Sequence, residues 1–311
     1  MKYSAEQVAE IESGYKEVLS ELEDSLISLV ADLSPSLTVK RAQEYVDHGV
    51  CRRLKIIRRC IENIFSVFPA DRTKLLSEEE RDDVEINLHA FVINIYGVPD
   101  NLAWIYVLEK GITLKHSRVG LFNNETQKHL PREVCDYLNS KRIKEWHGKY
   151  AKNYRDALAH RIPLYVPPWT CTYAQGEKYR ELDAMISEEV KMHNFDRAQT
   201  LTDERDAIGS ICLTFLHSFS DDHAHPPVYL HPQIIVDART VMEIINMIRP
   251  YLSKTPSKQI DGQGWASRVS GFFRWFHRLI KKIIQRGRRR GALSREKATG
   301  LEATRRLFTF F

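Results

Sequence analysis

The sequence has few of the features that mark proteins stabilised by disulfides or by zinc, or proteins that span a membrane. The cysteines are few, odd in number and never spaced as C-x-x-C: Cys51, Cys60, Cys135, Cys171 and Cys212. This pattern argues against a disulfide framework and a zinc ribbon, and it predicts reduced thiols. No run of about 18 apolar residues lacks a charge, and the acidic, amphipathic first residues differ from a secretory signal. We therefore expect a cytoplasmic protein without a membrane-spanning helix.

The charge of the chain is unevenly distributed. The formal net charge is +5, yet the segment from Asp261 onward has 13 Lys and Arg against three acidic residues. Of the 46 basic and 41 acidic residues in the chain, 33 and 38 therefore precede it, so that part is mildly acidic. A basic tail on an acidic body is typical of proteins that contact a polyanion, either nucleic acid or an anionic membrane.

Apolar spacing predicts helix after helix over the first 160 residues. Ser77 is the expected N-cap of the third helix, because carboxylates follow it in the first turn. Pro99 is expected to kink or break that helix. A fourth helix should end at Pro163, since the residue before a proline disfavours helical backbone. The fold class is therefore mainly α, with a helical bundle over residues 1–165.

The sequence pattern changes after the bundle. Residues 166–252 predict a small α+β elaboration packed on the bundle. "IPLYVPPWTCTY", "SICLTFLHSF" and "PPVYLHPQIIV" favour extended chain or short strands. "DARTVMEIINMIRPYL" predicts a helix with Asp237 as its cap. Residues 253–264 have the composition of a linker, and residues 265–311 form a basic amphipathic tail.

The segment "NYRDALAH" near the end of the fourth helix is the candidate site. Asn153, Asp156 and His160 fall on one helical stripe, three and four residues apart. Arg155 precedes His160 by five residues, which is about 140° around an ideal helix. The two side chains converge only if Arg155 reaches along the helix or the last turn loosens before Pro163.

This motif resembles the R-x(4–6)-H signature of the HEPN superfamily, in which a polar residue follows the arginine, as Asp156 does here. "PDNLAWIYVLEKGI" and "TFLHSFSDDHAHPPVYLHPQIIVDARTVMEII" also resemble segments of HEPN-like bacterial proteins. The resemblance covers roughly residues 1–250. It implies a four- to five-helix bundle with the motif at the end of the last long helix.

The resemblance implies a homodimer in which two motifs face each other across a cleft, and a metal-independent endoribonuclease of a toxin or defence system. His160 would take the proton of a ribose 2′-OH, because histidine is the side chain most often used for proton transfer near neutral pH. Arg155 would hold the scissile phosphate, and Asp156 or Asn153 would orient the imidazole. Tyr154 and Lys152 are further candidates for contacting RNA. The product would be a 2′,3′-cyclic phosphate.

In a second interpretation, the same residues have no catalytic role. Arg155 and Asp156 would be surface residues, and His160 would favour the helix C-terminus because a cation suits the helix dipole. The protein would then be a non-catalytic HEPN-like module that binds nucleotides or proteins. No metal ion or cofactor is predicted, since the His- and Asp-rich stretch from His217 to His231 lacks a standard ligand spacing and favours a polar loop.

The basic tail has three interpretations. One face of the helix expected over residues 265–290 carries Trp and Phe. The other face and the RGRRRG run carry cations: Arg274, Arg278, Lys281, Lys282, Arg286, Arg288, Arg289 and Arg290. This segment would lie on the inner face of an anionic membrane, hold RNA phosphates, or pack on a partner protein. The large aromatic face favours a surface that it can enter, meaning a membrane or a protein.

Overall fold

A computed structural model describes residues 2–216 and 228–253, which form a mainly helical protein. This confirms the mainly α fold class. The stretch 217–227, the linker from residue 254 onward and the tail over residues 265–311 lie outside the described residues, and so do all of the candidate cations of the tail.

The first helices form an antiparallel layer around buried leucine, isoleucine and valine side chains. Helix α1 (Ala5–Ser28) begins at Ser4, whose hydroxyl accepts from the backbone N–H of Gln7 in a capping box. The helix continues through a π-helical turn and ends after α2 (Ser34–Ser36). Helices α3 (Lys40–Glu44) and α4 (Cys51–Val67) follow, joined by a π-helical segment, Tyr45–Val50.

Helix α5 (Glu78–Glu109) is the longest element and crosses the centre of the bundle. The Ser77 cap is confirmed: its hydroxyl accepts from the backbone N–H of Glu80, and the Glu80 carboxylate accepts from the Ser77 N–H. The expected break at Pro99 is wrong, because α5 runs through Pro99. Burial along both sides of α5 stabilises the helix against the lost backbone hydrogen bond.

The segment after α5 carries the candidate motif. A 3₁₀ turn at His116–Arg118 leads to α6 (Asn124–Gln127) and α7 (Arg132–Leu138). Helix α8 (Lys141–Glu145) then continues through a π-helical segment, Trp146–Ala151, into α9 (Lys152–His160). The helix ends three residues before Pro163, as the sequence indicates.

The region after α9 divides into two parts. Helices α10 (Tyr173–Lys191) and α11 (Phe195–Asp206) pack mainly on each other as a hairpin. Strand β1 (Thr214–Phe215) pairs antiparallel with β2 (Val228–Tyr229), with Thr214 opposite Tyr229. Helix α12 (Leu230–Ile248) packs inside the bundle against α1, α4, α5 and α7, and a 3₁₀ turn follows at Arg249–Tyr251.

Helix α12 corrects two expectations from the sequence. Asp237 is not a cap, because it lies in the middle of α12, is buried, and accepts hydrogen bonds from Trp146 and Gln233. "PQIIV" is helical rather than extended. Tertiary packing overrides the strand preference of the β-branched residues here, because the bundle buries this helix on all sides.

Among the described helices, α5 alone is long and apolar enough to cross a membrane by length and composition. Its most apolar window is 67% buried within the protein. Such burial is typical of the central helix of a soluble bundle, which packs on protein rather than on lipid.

Candidate active site

The residues of the motif separate into a buried face and an open face of α9. Tyr154 and Ala157 are buried, whereas Lys152 and His160 are exposed. The Tyr154 ring packs edge-on against Phe215, with ring centroids 5.3 Å apart. Tyr154 is therefore a core residue, and its burial corrects the expectation that it contacts RNA.

Arg155 turns toward α5 rather than along its own helix. Its guanidinium lies over the ring of Tyr96, 4.5 Å from the ring centroid, and donates a hydrogen bond to the Tyr96 hydroxyl at 3.1 Å. It also forms an ion pair with Asp156 at 3.0 Å. Both charged side chains are 30% exposed, so solvent and a ligand can reach them. Cation–π stacking and two polar contacts fix the orientation of this guanidinium.

His160 does not join this arrangement within one protomer. It makes no hydrogen bond or ion pair with any residue in the described ranges. The last turn of α9 is regular, since the Arg161 N–H still donates to the Ala157 carbonyl at 3.0 Å. The loosened turn that would bring Arg155 and His160 together is thus not formed, and the helix keeps the two side chains on different faces.

Asn153 and Asp156 bind neighbours other than the histidine they were expected to orient. The amide oxygen of Asn153 accepts a hydrogen bond from Arg161 at 2.7 Å. Asp156 is the ion-pair partner of Arg155. Neither of them fixes the tautomer of His160, which points into solvent.

A different histidine, His147, lies beside Arg155. Its ring stacks on Phe122 with centroids 3.7 Å apart and on Tyr96 with centroids 5.8 Å apart. Burial, and then the charges of Lys152 and Arg155, lower the pKa of His147 to about 4, so the imidazole is neutral near pH 7. Sequence reasoning missed this residue.

The π-helical segment explains why His147 was missed. In an uninterrupted α-helix, eight residues separate the side chains by about 80°. The wider turn over Trp146–Ala151 changes that register, and His147 and Arg155 both contact Tyr96. A π-helical turn leaves no periodic signal in a single sequence, although such turns are frequent at functional sites.

Asp100 is a second missed residue, one turn along α5 from Tyr96. Burial raises the pKa of its carboxyl group, and the charges of Arg155 and Arg53 oppose that rise. The carboxylate thus lies between two guanidinium groups that come from different helices, α9 and α4.

In the described ranges, no three His, Cys, Asp or Glu side chains come together in a group that could hold a metal ion. His231 is buried, and its Nε2 lies 2.6 Å from the Phe68 carbonyl. Around Tyr96 the site therefore combines the Arg155–Asp156 ion pair with the neutral imidazole of His147.

Comparisons with known protein families, with characterised proteins and with solved structures find no match to this chain.

Proposed function

We propose that the protein is a HEPN-type, metal-independent endoribonuclease that acts as a homodimer in a toxin or defence setting. One observation carries the proposal: the Arg155 guanidinium is held in a fixed orientation, is partly exposed, and shares a short helix with an exposed histidine. An arginine fork and an imidazole are the two groups that metal-free cleavage of RNA requires.

Each group has a defined role in the proposed reaction. Arg155 binds the scissile phosphate and offsets the charge that builds on its oxygens. His160 removes the proton from the ribose 2′-OH, and the 2′ oxygen then bonds to phosphorus. The bond from phosphorus to the 5′ oxygen breaks, and that oxygen takes a proton from solvent water. The products are a 2′,3′-cyclic phosphate and a 5′-OH end.

The helix geometry supports a composite site in which the histidine comes from a second copy. Arg155 turns to α5 and His160 points away from it, so one protomer does not supply both groups to one phosphate. In a symmetric dimer, Arg155 of one protomer and His160 of the other would form each of two composite sites. Asp156 neutralises Arg155 in the free protein, and the substrate phosphate would share the guanidinium with it.

A complementation assay tests the proposal. Purified protein is incubated with total RNA in EDTA, beside Arg155→Ala, His160→Ala and an equimolar mixture of both variants after subunit exchange. Wild-type protein should cleave, and each variant alone should lose at least about 100-fold in rate. The mixture should regain roughly a quarter of the wild-type rate, because half of the dimers hold one intact site.

A wild-type protein that leaves RNA intact, or variants as active as wild type, would overturn catalysis. A mixture that stays inactive would overturn the composite site. Arg161→Ala is the matched control, since Arg161 is an exposed neighbour that bonds Asn153 and not the Tyr96 cluster.

The second candidate function is a non-catalytic binding module. The observation that favours it is the ion pair between Arg155 and Asp156 beside a histidine with no described partner. The same assay separates the two, because a binding module would retain RNA or nucleotide without cutting it. Association with the inner membrane surface or a partner protein through residues 265–290 belongs to this candidate, and anionic liposome pelleting of the full chain tests it.

A further inference from the structure

A groove opens beside α5, and Arg155 is not among the residues that line it. It has a volume of about 540 Å³ and lies between α5, the first turns of α4 and the segment from α3 to Val50. Its polar lining consists mainly of arginines, amides and one histidine: Arg41, His48, Arg52, Arg53, Asn94 and Asn101. The cavity is open, so a ligand in solution can reach it.

Arg53 is held by amides and not by a carboxylate. Its Nε donates to the Asn101 side-chain oxygen at 2.8 Å, and one terminal nitrogen donates to the Asn94 oxygen at 3.2 Å. Asn94 is buried, and its own amide donates to the Ala90 carbonyl at 2.7 Å, which fixes the direction of its oxygen. Neutral acceptors orient the guanidinium, and the carboxylate of Asp100 acts on its charge only from beyond hydrogen-bond distance.

No carboxylate in the described ranges lies within ion-pair distance of Arg53. The second terminal nitrogen makes no hydrogen bond there either. Half-buried arginines normally find a carboxylate or a phosphate, because burial of an unpaired charge costs free energy. Burial does lower the pKa of Arg53, yet guanidinium remains charged at neutral pH.

Gly97 allows this placement of Arg53. A Cβ at position 97 would overlap the guanidinium and lie 2.8 Å from its Nε. The side chain therefore rests flat on the backbone of α5, where any larger residue would displace it. Glycine in the middle of a helix costs about 1 kcal/mol relative to alanine, so this close approach is maintained against local propensity.

The surrounding charges leave the groove positive. Arg41 forms an ion pair with Glu44, which is the one carboxylate among the lining residues. Arg52 is exposed and has no ion pair within the described ranges. The negative charge of Asp100, which lies about one turn along α5 from Gly97, attracts the guanidinium of Arg53 and also that of Arg155. The groove and the Arg155 cluster are therefore neighbours along one stretch of α5.

We propose that this groove binds a backbone phosphate of a polynucleotide strand through Arg53. The proposal rests on the proposed function, since it extends the path of the RNA from Arg155 across α5. Arg53 presents its free edge to the phosphate oxygens, with Arg52 at the rim. Arginine suits this role because its planar fork matches phosphate geometry and its charge is permanent.

The test measures binding without cleavage. A 2′-O-methyl RNA oligonucleotide has no 2′-OH to act as nucleophile, so fluorescence anisotropy of the full chain reports affinity alone. Arg53→Lys keeps the charge but loses the fork, and Gly97→Ala keeps the arginine but displaces it. Each should weaken binding about tenfold, and Arg53→Ala should reduce the slope of log K against log salt by about 0.7.

Arg59→Ala is the matched control, because Arg59 lies on the same helix, outside the groove, paired with Glu62. It should bind within about twofold of wild type. Residues 265–311 are identical in all of these proteins, so the ratios of their dissociation constants report on the groove. Circular dichroism checks that each variant is folded, and Gly97→Ala retains helix propensity.

Two sets of results overturn the proposal. In the first, Arg53→Lys and Gly97→Ala bind the oligonucleotide as wild type does. In the second, Arg53 governs binding of pyrophosphate or of phosphatidylserine vesicles but not of the oligonucleotide. Loss of cleavage with intact, Arg53-dependent binding would refute the ribonuclease and leave the phosphate site standing.

Discussion

Helix α12 and the stretch of α5 from Asn94 to Asn101 both place polar groups inside the bundle, and they satisfy them differently. In α12, the guanidinium of Arg239 binds carboxylates of Glu17 and Glu21. Glu243 accepts from the Tyr137 hydroxyl at 2.7 Å and pairs with Arg142. Against α5, Arg53 of α4 bonds only to neutral amides, and Arg155 of α9 pairs with an Asp156 carboxylate that stays partly exposed.

The difference separates polar groups that hold helices together from those that are available to a ligand. Arg239 and Glu243 are almost fully buried, and each links α12 to another helix through an opposite charge. Arg155 is 30% exposed, and Arg53 opens to the groove. We infer that substitutions in α12 reduce stability, whereas substitutions around α5 reduce binding and leave the fold intact.

Glu243→Ala should have the largest effect on stability. The change removes the buried acceptor that the Tyr137 hydroxyl and the partly exposed Arg142 guanidinium share, and each hydrogen bond to a charged group contributes about 1.5–3 kcal/mol. Urea unfolding followed by circular dichroism measures the free energy. Glu145→Ala is the control, because Glu145 forms an exposed pair with Lys149 and its loss should change little.

Asp237→Asn should change the pH dependence of stability. Burial raises the pKa of Asp237 to about 7, so the folded protein holds this proton more tightly than the unfolded chain does. The stabilisation is fully present below about pH 4 and is lost as the pH rises to about 7, a change of roughly 4 kcal/mol. Urea unfolding from about pH 4 to 8 should show this loss in wild type and not in the variant.

His147 and His231 change the stability with pH in the opposite direction from Asp237. Both histidines are present in wild type and in the Asp237→Asn variant. Their pKa values are lowered to about 4 by burial, so the stability they confer is present above about pH 6.5 and is lost toward pH 4. The difference between wild type and Asp237→Asn isolates Asp237. Parallel curves for the two proteins would contradict the assignment.

Asp100→Asn should have the smallest effect on stability and a gain in binding. The carboxylate lies partly buried between Arg53 and Arg155 and makes no hydrogen bond or ion pair in the described ranges. Its neutralisation should shift the free energy of unfolding by less than about 1 kcal/mol. Affinity for 2′-O-methyl RNA should rise about threefold, because a negative charge leaves the phosphate path. Weaker binding would instead assign Asp100 to orienting the arginines.

Local features were the ones that the sequence predicted correctly. The cap at Ser77 depends on residues within one turn, and the helix end before Pro163 depends on a local steric rule. The features that were wrong depend on packing. Helix α5 continues through Pro99 and Asp237 lies in the middle of α12, because neighbouring helices surround both positions.

The candidate site divides in the same way. The sequence singled out Arg155, Asp156 and His160, because they form an R-x4-H motif near a helix end. Tyr96, Asp100 and His147 lie far from Arg155 in the sequence or out of helical register with it. Only the packing of α9 on α5 and the wider π-helical turn bring them together.

The sequence by itself determined a mainly helical protein, since apolar periodicity and capping residues act within a few residues of chain. It also determined which residue types could bind phosphate. The tertiary structure decided their partners: Arg155 stacks on Tyr96 and Arg53 lies on Gly97. Both contacts are long-range, and the direction and free charge of a guanidinium depend on what lies within a few ångströms of it in space.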